Sequence, residues 1–290
     1  MVYVVQAPGS CGEFIQGYAG GRSFMVTCPI ERYACAEGRP GPQRTKLPAK
    51  AELARRIALE RVRSGTDVDV TLTSHIPVGK GMASSTADIS AVAQAAALAA
   101  GRKLSPEDIA SIAIAIEPSD ATFYQGIVQF DYRNGRLLRP LGDAPYAKIL
   151  IYDCGGEVDT LAFNARDDLI ALQRENESSI LEAISLFEEG LAAGNLFLMG
   201  KAATISAFAN QKILKKPVLP AFYEAQKGAG GCGVIAAHSG TVLGVLLPGD
   251  ADEAPLRHAI ESELKKAVSF LDCAPLTNDG MIIEEINDSK

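Results

Sequence analysis

Residues 76–88 read IPVGKGMASSTAD and join a predicted strand to a predicted helix. Upstream, Val68, Val70 and Leu72 alternate with polar residues, which indicates a half-buried strand. Downstream, the alanine-rich run 89–100 ends before Gly101 and indicates a buried helix. The first amides of a helix lack partners within the helix, and the helix dipole makes that end positive. This junction is therefore suited to binding an anion.

The residue types in this stretch fit a phosphate group. Gly79 and Gly81 allow the backbone to approach phosphate oxygens closely, and Lys80 adds a positive charge. Three hydroxyl side chains that can accept from free amides or bind Mg²⁺ fall where the helix begins: Ser84, Ser85 and Thr86. The pattern GxxxxGK[ST] is absent from this stretch, so the site would differ from a P-loop. The alternative is an ordinary glycine-containing loop with serine N-caps.

Two further glycine-rich loops favour the binding interpretation. Residues 227–233 read KGAGGCG and connect a predicted helix to a predicted strand, and residues 7–13 read APGSCGE and follow a strand. Glycines are costly in chain entropy unless the backbone must bend or approach something closely. Three such loops are hard to explain by packing.

The three loops together resemble the three sequence motifs of the GHMP small-molecule kinases, which include galactose, homoserine, mevalonate and phosphomevalonate kinases. APGSCGEFIQG resembles the first motif, IPVGKGMASST the second and KGAGGCGV the third, and together they span residues 7–234. The resemblance implies an α+β fold with an N-terminal domain of the ribosomal-S5-like type and a ferredoxin-like C-terminal domain, with ATP and substrate between them. We place the division at Ala144-Pro145, which gives domains 1–145 and 146–290.

Three segments narrow the resemblance within this superfamily. SCGEFIQG, GKGMASSTADI and IEPSDATFYQG resemble the L-threonine kinases of adenosylcobalamin synthesis. That resemblance implies ATP-dependent phosphorylation of the threonine hydroxyl, whose product is decarboxylated to the aminopropanol phosphate linker of the cofactor. The alternatives are a homoserine kinase or another small-alcohol kinase on the same scaffold, and a non-catalytic relative that binds a ligand as a regulator.

The resemblance also implies which residues bind ATP and Mg²⁺. Magnesium takes few protein oxygens, so we expect Ser84 or Ser85 to bind it together with a carboxylate, Glu117 or Asp120. We expect the third loop to brace the phosphate loop from the other domain. The expected ATP-binding residues are Pro77, Gly79, Lys80, Gly81, Met82, Ala83, Ser84, Ser85, Thr86, Gly230 and Gly231.

The segment Glu117-Pro118-Ser119-Asp120 places two carboxylates on one short turn. Superfamily members that use a base have an aspartate in a similar place, paired with a lysine of the first motif. Ser10 stands at the lysine position here, so Asp120 is open to the roles of base, metal ligand or substrate contact. Homoserine kinases manage without such a base, and acidic residues at helix ends are commonly just solvated. The catalytic candidates are Asp120, Glu117 and Lys80.

Recognition of the amino acid requires two opposite charges. Its ammonium group needs a carboxylate, for which Glu13 and Asp120 are candidates. Its carboxylate needs amides or a cation, for which the backbone of residues 9–12 or Arg22 is available. The substrate-binding candidates are Ser10, Cys11, Gly12, Glu13 and Asp120.

Composition excludes several other classes of protein. The net charge of −7 argues against general affinity for nucleic acid. The six scattered cysteines and three separated histidines argue against a disulfide framework or a zinc site. The start MVYVVQAP is unlike a signal peptide and the run 89–100 is too short to cross a bilayer, so we expect a cytoplasmic protein without a membrane partner. The basic helix 48–63 is interpreted as a solvated face, and a homodimer is left open.

Hydrophobic periodicity predicts the remaining elements. A strand at 2–5 is expected to stop at a tight turn, Ala7-Pro8-Gly9. Ser105-Pro106 is a helix start, and Pro118 requires that helix to end by Glu117. Further strands are predicted at 24–36, 123–132, 147–153, 233–238 and 241–248, and further helices at 48–63, 162–192, 195–213, 218–227 and 252–268.

Overall fold

The computed structural model describes residues 1–156, 158, 162–163 and 165–287. The strands are β1 (Val2–Ala19), β2 (Arg22–Pro40), β3 (Val68–Ser74), β4 (Ile127–Asp131), β5 (Arg136–Gly142), β6 (Ala147–Asp153), β7 (Gly233–Ala236), β8 (Val242–Pro248), β9 (Ser269–Pro275) and β10 (Ile282–Ile286). The helices are α1 (Ala49–Arg61), α2 (Ser84–Ala99), α3 (Pro106–Ile116), α4 (Leu169–Glu175), α5 (Glu177–Ala193), α6 (Leu196–Ala209), α7 (Leu219–Lys227) and α8 (Ala254–Leu264). In the described ranges no helix combines the length and apolar character needed to cross a bilayer.

One antiparallel sheet runs through both halves of the chain. The strand order is β5-β4-β2-β1-β7-β8-β6-β9, with β3 also paired to β2 and β10 to β1. The N-terminal and C-terminal halves meet where Glu13 of β1 pairs with Ala236 of β7. Runs of strands with segregated helices are the α+β arrangement that the sequence predicts. Ala144-Pro145 lies between β5 and β6, and the division into two domains there stays a prediction.

Helix α2 is the buried element that follows the phosphate loop. It begins at Ser84, five residues before the predicted apolar run, and thirteen of its sixteen residues are buried. Helix α2 packs closely against β2, because many of its side chains are alanine and Gly38 of β2 has no Cβ. A Cβ at Gly38 would lie only 2.3 Å from the carbonyl oxygen of Ala95. Helix α1 packs along the other side of α2. The start of α2 is therefore firmly anchored.

Helix α3 has the boundaries that its capping residues predict. The Ser105 hydroxyl accepts from the backbone N–H of Asp108, whose carboxylate accepts from the N–H of Ser105, which forms a capping box. Glu117 has extended backbone angles, in agreement with the restriction that Pro118 imposes on the residue before it. The chain therefore leaves α3 at Glu117 and turns toward the start of α2.

Several predicted elements are wrong in extent. Strand β1 does not stop at residue 7: it continues to Ala19, and breaks in its register with β2 after Pro8, Ser10 and Glu13 absorb the glycines. The single helix predicted at 162–192 is interrupted at Asn176, between α4 and α5; position 164 of that prediction lies outside the described residues. The last helix ends at Leu264 before a short 3-10 turn, and the following strands β9 and β10 were not predicted.

Candidate active site

A solvent-accessible cavity of about 270 Å³ lies where the start of α2, the turn after α3 and the middle of β1 face one another. It contains most of the expected phosphate-binding residues and both expected carboxylates. Its lining comprises Glu13, Gln16, Met25, Lys50, Val78, Gly79, Gly81, Met82, Ala83, Ser84, Ser85, Thr86, Glu117, Pro118, Ser119, Asp120, Tyr132, Val158 and Ser239.

The phosphate loop, residues 76–83, enters α2 through a left-handed turn. Gly79 and Gly81 have φ angles of +73° and +81°, which glycine adopts at little cost. Ala83, the residue before the helix, has a φ of +55°, which an L-residue with a Cβ adopts rarely. Among the described residues, no side chain caps the first amides of α2. The first amides of α2 therefore lie at the cavity without a side-chain acceptor, which leaves them free to bind an anion.

The phosphate loop is held on two sides. From β1, the N–H groups of Ser10 and Gly12 donate to the carbonyl oxygens of Met82 and Gly81, both at 3.0 Å. From the turn 237–241 between β7 and β8, the N–H of Thr241 donates to the carbonyl of Lys80 at 2.9 Å. The sequence predicted that the third loop, residues 227–233, would support the phosphate loop. The support comes instead from the turn 237–241, which follows the third loop after strand β7. Gly230 and Gly231 lie at the end of α7, where the Gly231 N–H bonds Gln226, and they are not among the described lining residues.

Lys80 points away from the cavity. Its Nζ lies 2.8 Å from Asp153 Oδ2 and donates to the carbonyl of Gly156 at 3.0 Å. Burial raises the pKa of Asp153, but the bonds from Lys80, Thr241 and the Gly155 N–H outweigh it and hold that pKa below its usual range. Lys80 therefore fixes the loop to the end of β6. It and Pro77 are absent from the described lining, whereas the other second-motif candidates are present.

Ser85 and Glu117 form a hydroxyl–carboxylate pair in the cavity wall. The Ser85 hydroxyl donates to Glu117 Oε1, and Lys50 Nζ lies 2.6 Å from Glu117 Oε2. Ser84 is in the same wall. Two such oxygen ligands facing open space fit Mg²⁺, which takes its other ligands from phosphate and water. Clusters of three or more His, Cys, Asp or Glu that could bind a metal do not occur in the part of the chain that the structure describes.

Glu13, which is buried, and Asp120, which is half-buried, form an acidic pair in the cavity wall. Burial of Asp120 and the charge and hydrogen bond of Glu13 raise the pKa of Asp120 well above its usual range. The backbone N–H of Asp120 donates to the Thr86 hydroxyl at 3.2 Å, which holds Asp120 next to the start of α2. Glu13 in turn accepts from His238. The negative charge of Glu13 therefore favours the protonated form of Asp120.

The other substrate-binding candidates lie beside the cavity. Ser10, Cys11 and Gly12 are buried in β1, and burial raises the pKa of the Cys11 thiol, which makes it unreactive. A Cβ at Gly12 would lie 2.6 Å from the backbone nitrogen of Ala237. These three residues therefore pack β1 against its neighbours behind the site, and their role in substrate binding stays a prediction. Arg22 is exposed at the start of β2 and is not in the described lining.

Sequence reasoning missed several polar residues of the site. Lys50 lies on the basic helix that was interpreted as a solvated face; it is exposed there, and it also lines the cavity and bonds Glu117. Gln16 lines the cavity and His238 bonds Glu13. A lone histidine in the apolar run GVIAAH carries no local signal for such a contact. Gln16 could have been found, since it belongs to the GEFIQG segment of the first motif.

Comparisons with known proteins show which family the chain matches. The family described as GHMP kinases N terminal domain matches residues 49–126. The chain is 32% identical over 248 residues to an L-threonine kinase of Citrobacter freundii, covering 84% of this chain and 86% of that protein. It is 32% identical over 257 residues to an L-threonine kinase of Salmonella typhimurium (strain LT2), covering 85% and 83% respectively.

A solved structure shares the fold. Lactococcus lactis galactokinase, crystallised with galactose, superimposes with a TM-score of 0.68 at 13% identity, covering 97% of this chain and 95% of that one. The chain belongs to the GHMP kinase family. It has the mixed α+β fold of these ATP-dependent kinases, which confirms the fold class expected from the sequence motifs. Kinases of this family generally use ATP and Mg²⁺.

Proposed function

We propose that the chain is an L-threonine kinase, which transfers the γ-phosphoryl group of ATP to the threonine hydroxyl and releases O-phospho-L-threonine. The observation that carries the proposal is the presence, in one cavity, of helix amides without a side-chain cap and of the acidic pair Glu13 and Asp120. The names of the two relatives at 32% identity support threonine as the acceptor. By the same resemblance, the product would supply the aminopropanol phosphate linker of adenosylcobalamin.

The phosphate end of the cavity binds and orients the nucleotide. Phosphoryl transfer depends mainly on positioning and on stabilising the charge of the transferring group. The amides that begin α2 and the glycines of the phosphate loop would bind the phosphates of ATP, with Lys50 available as a nearby cation. Lys80 would act through its bond to Asp153, which fixes the loop. Each of these groups is positioned before the ligand arrives, so little reorganisation is required.

Ser85 and Glu117 are the residues that would hold Mg²⁺, with Ser84 as a further hydroxyl. When bound, the ion would neutralise charge on the phosphates. Lys50 neutralises the same carboxylate in its absence. The buried Glu117 carboxylate thus always has a cationic partner, which offsets the cost of burying its charge.

The acidic pair would bind the amino acid. Glu13 offers a carboxylate to the substrate ammonium, and Asp120 is the group available to the attacking hydroxyl. No lysine accompanies Asp120 in the first motif, where Ser10 stands. Asp120 would therefore act either as a base of raised pKa or by orienting the hydroxyl, and its amide variant separates the two roles.

The test is ADP release with L-threonine, L-serine, L-homoserine and mevalonate, with the phosphorylated product identified by mass spectrometry. The threonine methyl group should raise kcat/KM about 10- to 200-fold over serine, as expected for one methyl in a fitted pocket. Equal turnover of serine, or a preference for homoserine, would refute threonine as the acceptor. An absence of turnover with all four would refute kinase activity and support a non-catalytic relative.

A further inference from the structure

We propose that Glu13 and Gln16 together form the receptor for the amino group of the substrate, and that His238 is a positioning residue that fixes Glu13 in this receptor. The inference rests on the proposed L-threonine kinase function. It adds two residues that sequence analysis did not single out.

Glu13 and Gln16 face the same cavity because β1 is irregular between them. In a regular strand successive side chains alternate, so residues three apart point to opposite faces. The register of β1 against β2 shifts between Glu13 and Ile15, which changes the alternation at this point. Both side chains therefore line the cavity.

Gln16 lines the cavity and has a side-chain amide oxygen whose hydrogen-bonding capacity is unused. Gln16 is 6% exposed, and its Oε1 is buried without a hydrogen-bond partner among the described residues. Its backbone N–H donates to the Ser206 hydroxyl at 3.1 Å, which fixes the residue in place. Buried polar atoms are nearly always bonded, and an ammonium group brings three donors. An amino group that donates to Gln16 Oε1 and to Glu13 would satisfy both acceptors.

His238 fixes the orientation of Glu13 through two bonds to one oxygen. Its backbone N–H and its Nδ1 both donate to Glu13 Oε2, at 3.1 and 2.8 Å. This arrangement leaves Oε1 of Glu13 for Asp120 and the ligand. The imidazole is 2% exposed, and its Nε2 lies 3.3 Å from the same Ser206 hydroxyl that bonds Gln16. Ser206 thus links the supports of both receptor side chains.

The turn that carries His238 is also the turn that holds the phosphate loop. The carbonyl of Ala237 accepts from the buried Lys216 Nζ at 2.5 Å, and the N–H of Ala237 donates to the carbonyl of Val242 at 3.1 Å. Thr241, at its other end, donates to Lys80. The ammonium receptor and the phosphate loop are therefore both held by the same turn, residues 237–241. This fixes the distance between acceptor and donor, on which in-line transfer depends.

The test compares two ligands that differ in the amino group. Kd values for L-threonine and for 3-hydroxybutyrate, which lacks the ammonium, are measured by calorimetry on the whole protein with a non-hydrolysable ATP analogue and Mg²⁺. Gln16→Leu and His238→Ala should each weaken threonine binding by about tenfold or more, the loss expected for a bond to a charged group. Binding of 3-hydroxybutyrate and of the ATP analogue should stay within about threefold of wild type.

The control variant is His258→Ala, an exposed histidine on α8, which should leave all three Kd values unchanged. His238→Gln retains a side-chain N–H donor and should recover part of the threonine affinity. A uniform loss for threonine, 3-hydroxybutyrate and the nucleotide would show a merely structural role and overturn the assignment of His238. If His238→Ala does not fold, unchanged threonine affinity in Gln16→Leu overturns the receptor. Wild-type protein that does not phosphorylate threonine refutes the proposed function itself.

Discussion

Alanine at position 240 will displace the phosphate loop by a distance that the structure defines. A Cβ at Gly240 would lie 2.3 Å from the Cα of Gly81 and 2.3 Å from the carbonyl oxygen of Lys80, whereas ordinary contacts begin at 3.4 Å. Restoring an ordinary contact therefore requires the loop and the turn to separate by about 1.1 Å. Both neighbours are backbone atoms, so no side-chain rotation can relieve the contact.

A shift of this size affects catalysis more than stability. A misplacement of about 1 Å costs about 100-fold in rate, or about 2.7 kcal/mol of transition-state stabilisation. Overpacking costs about 1–3 kcal/mol of folding free energy, which lowers Tm by about 2–4 °C per kcal/mol. We expect Gly240→Ala to remain folded at 25 °C and to lose about 100-fold in kcat/KM, measured by ADP release.

The matched control is Gly65→Ala. Gly65 lies in the loop before β3, has no positive φ and has no non-adjacent atom of the described residues within 4 Å of its Cβ position. Its substitution should change neither Tm nor kcat/KM. Wild-type activity in Gly240→Ala would show that the turn 237–241 does not determine the position of the phosphate loop, and would refute the reasoning.

Three further variants test separate parts of the site and the fold. Ser85→Ala should lower kcat at least about tenfold and raise the Mg²⁺ concentration for half-maximal rate; an unchanged Mg²⁺ titration would exclude it as a ligand. If Asp120 is a base, kcat/KM should rise with pH through the raised pKa of Asp120. Asp120→Asn should then remove that rise and lower kcat/KM by about 10²–10⁴-fold. A loss of kcat/KM below about tenfold would indicate that Asp120 only orients the hydroxyl. Ser105→Ala should lose the capping box and about 1 kcal/mol, seen as a Tm lower by about 2–4 °C with unchanged kcat/KM; an unchanged Tm would contradict the cap.

Elements with strong local chemistry could be predicted from the sequence. Ser105 and Pro106 define the start of α3 by a cap and a fixed φ, and Pro118 defines its end, so each boundary depends on one or two neighbouring residues. The fold class and the second motif followed from glycines and hydroxyls whose spacing matches the family. The fold class was implied by the resemblance to the family, and the second motif could be predicted because its residues are closely spaced.

Features that depend on distant partners could not be predicted. Strand β1 passes through Pro8 and Gly9 because pairing with β2 continues on both sides of a register break, and that pairing outweighs the local turn preference. His238 bonds a carboxylate 225 positions earlier in the chain, and Lys50 meets Glu117 across 67 positions. No pattern around either residue contains that information. The acidic pair of the site is therefore visible only in three dimensions.

The continuous sheet has a consequence for unfolding. Loss of the C-terminal half alone would leave β1 without β7 and β10, and would remove the bonds from His238 to Glu13. The bare hydrophobic edge of β1 and the lost bonds both oppose such a partly unfolded state. The two halves should therefore melt in one cooperative calorimetric transition, even though the sequence predicts a domain division at residue 145. Ligands that bind at their junction would then raise the melting temperature of the whole chain.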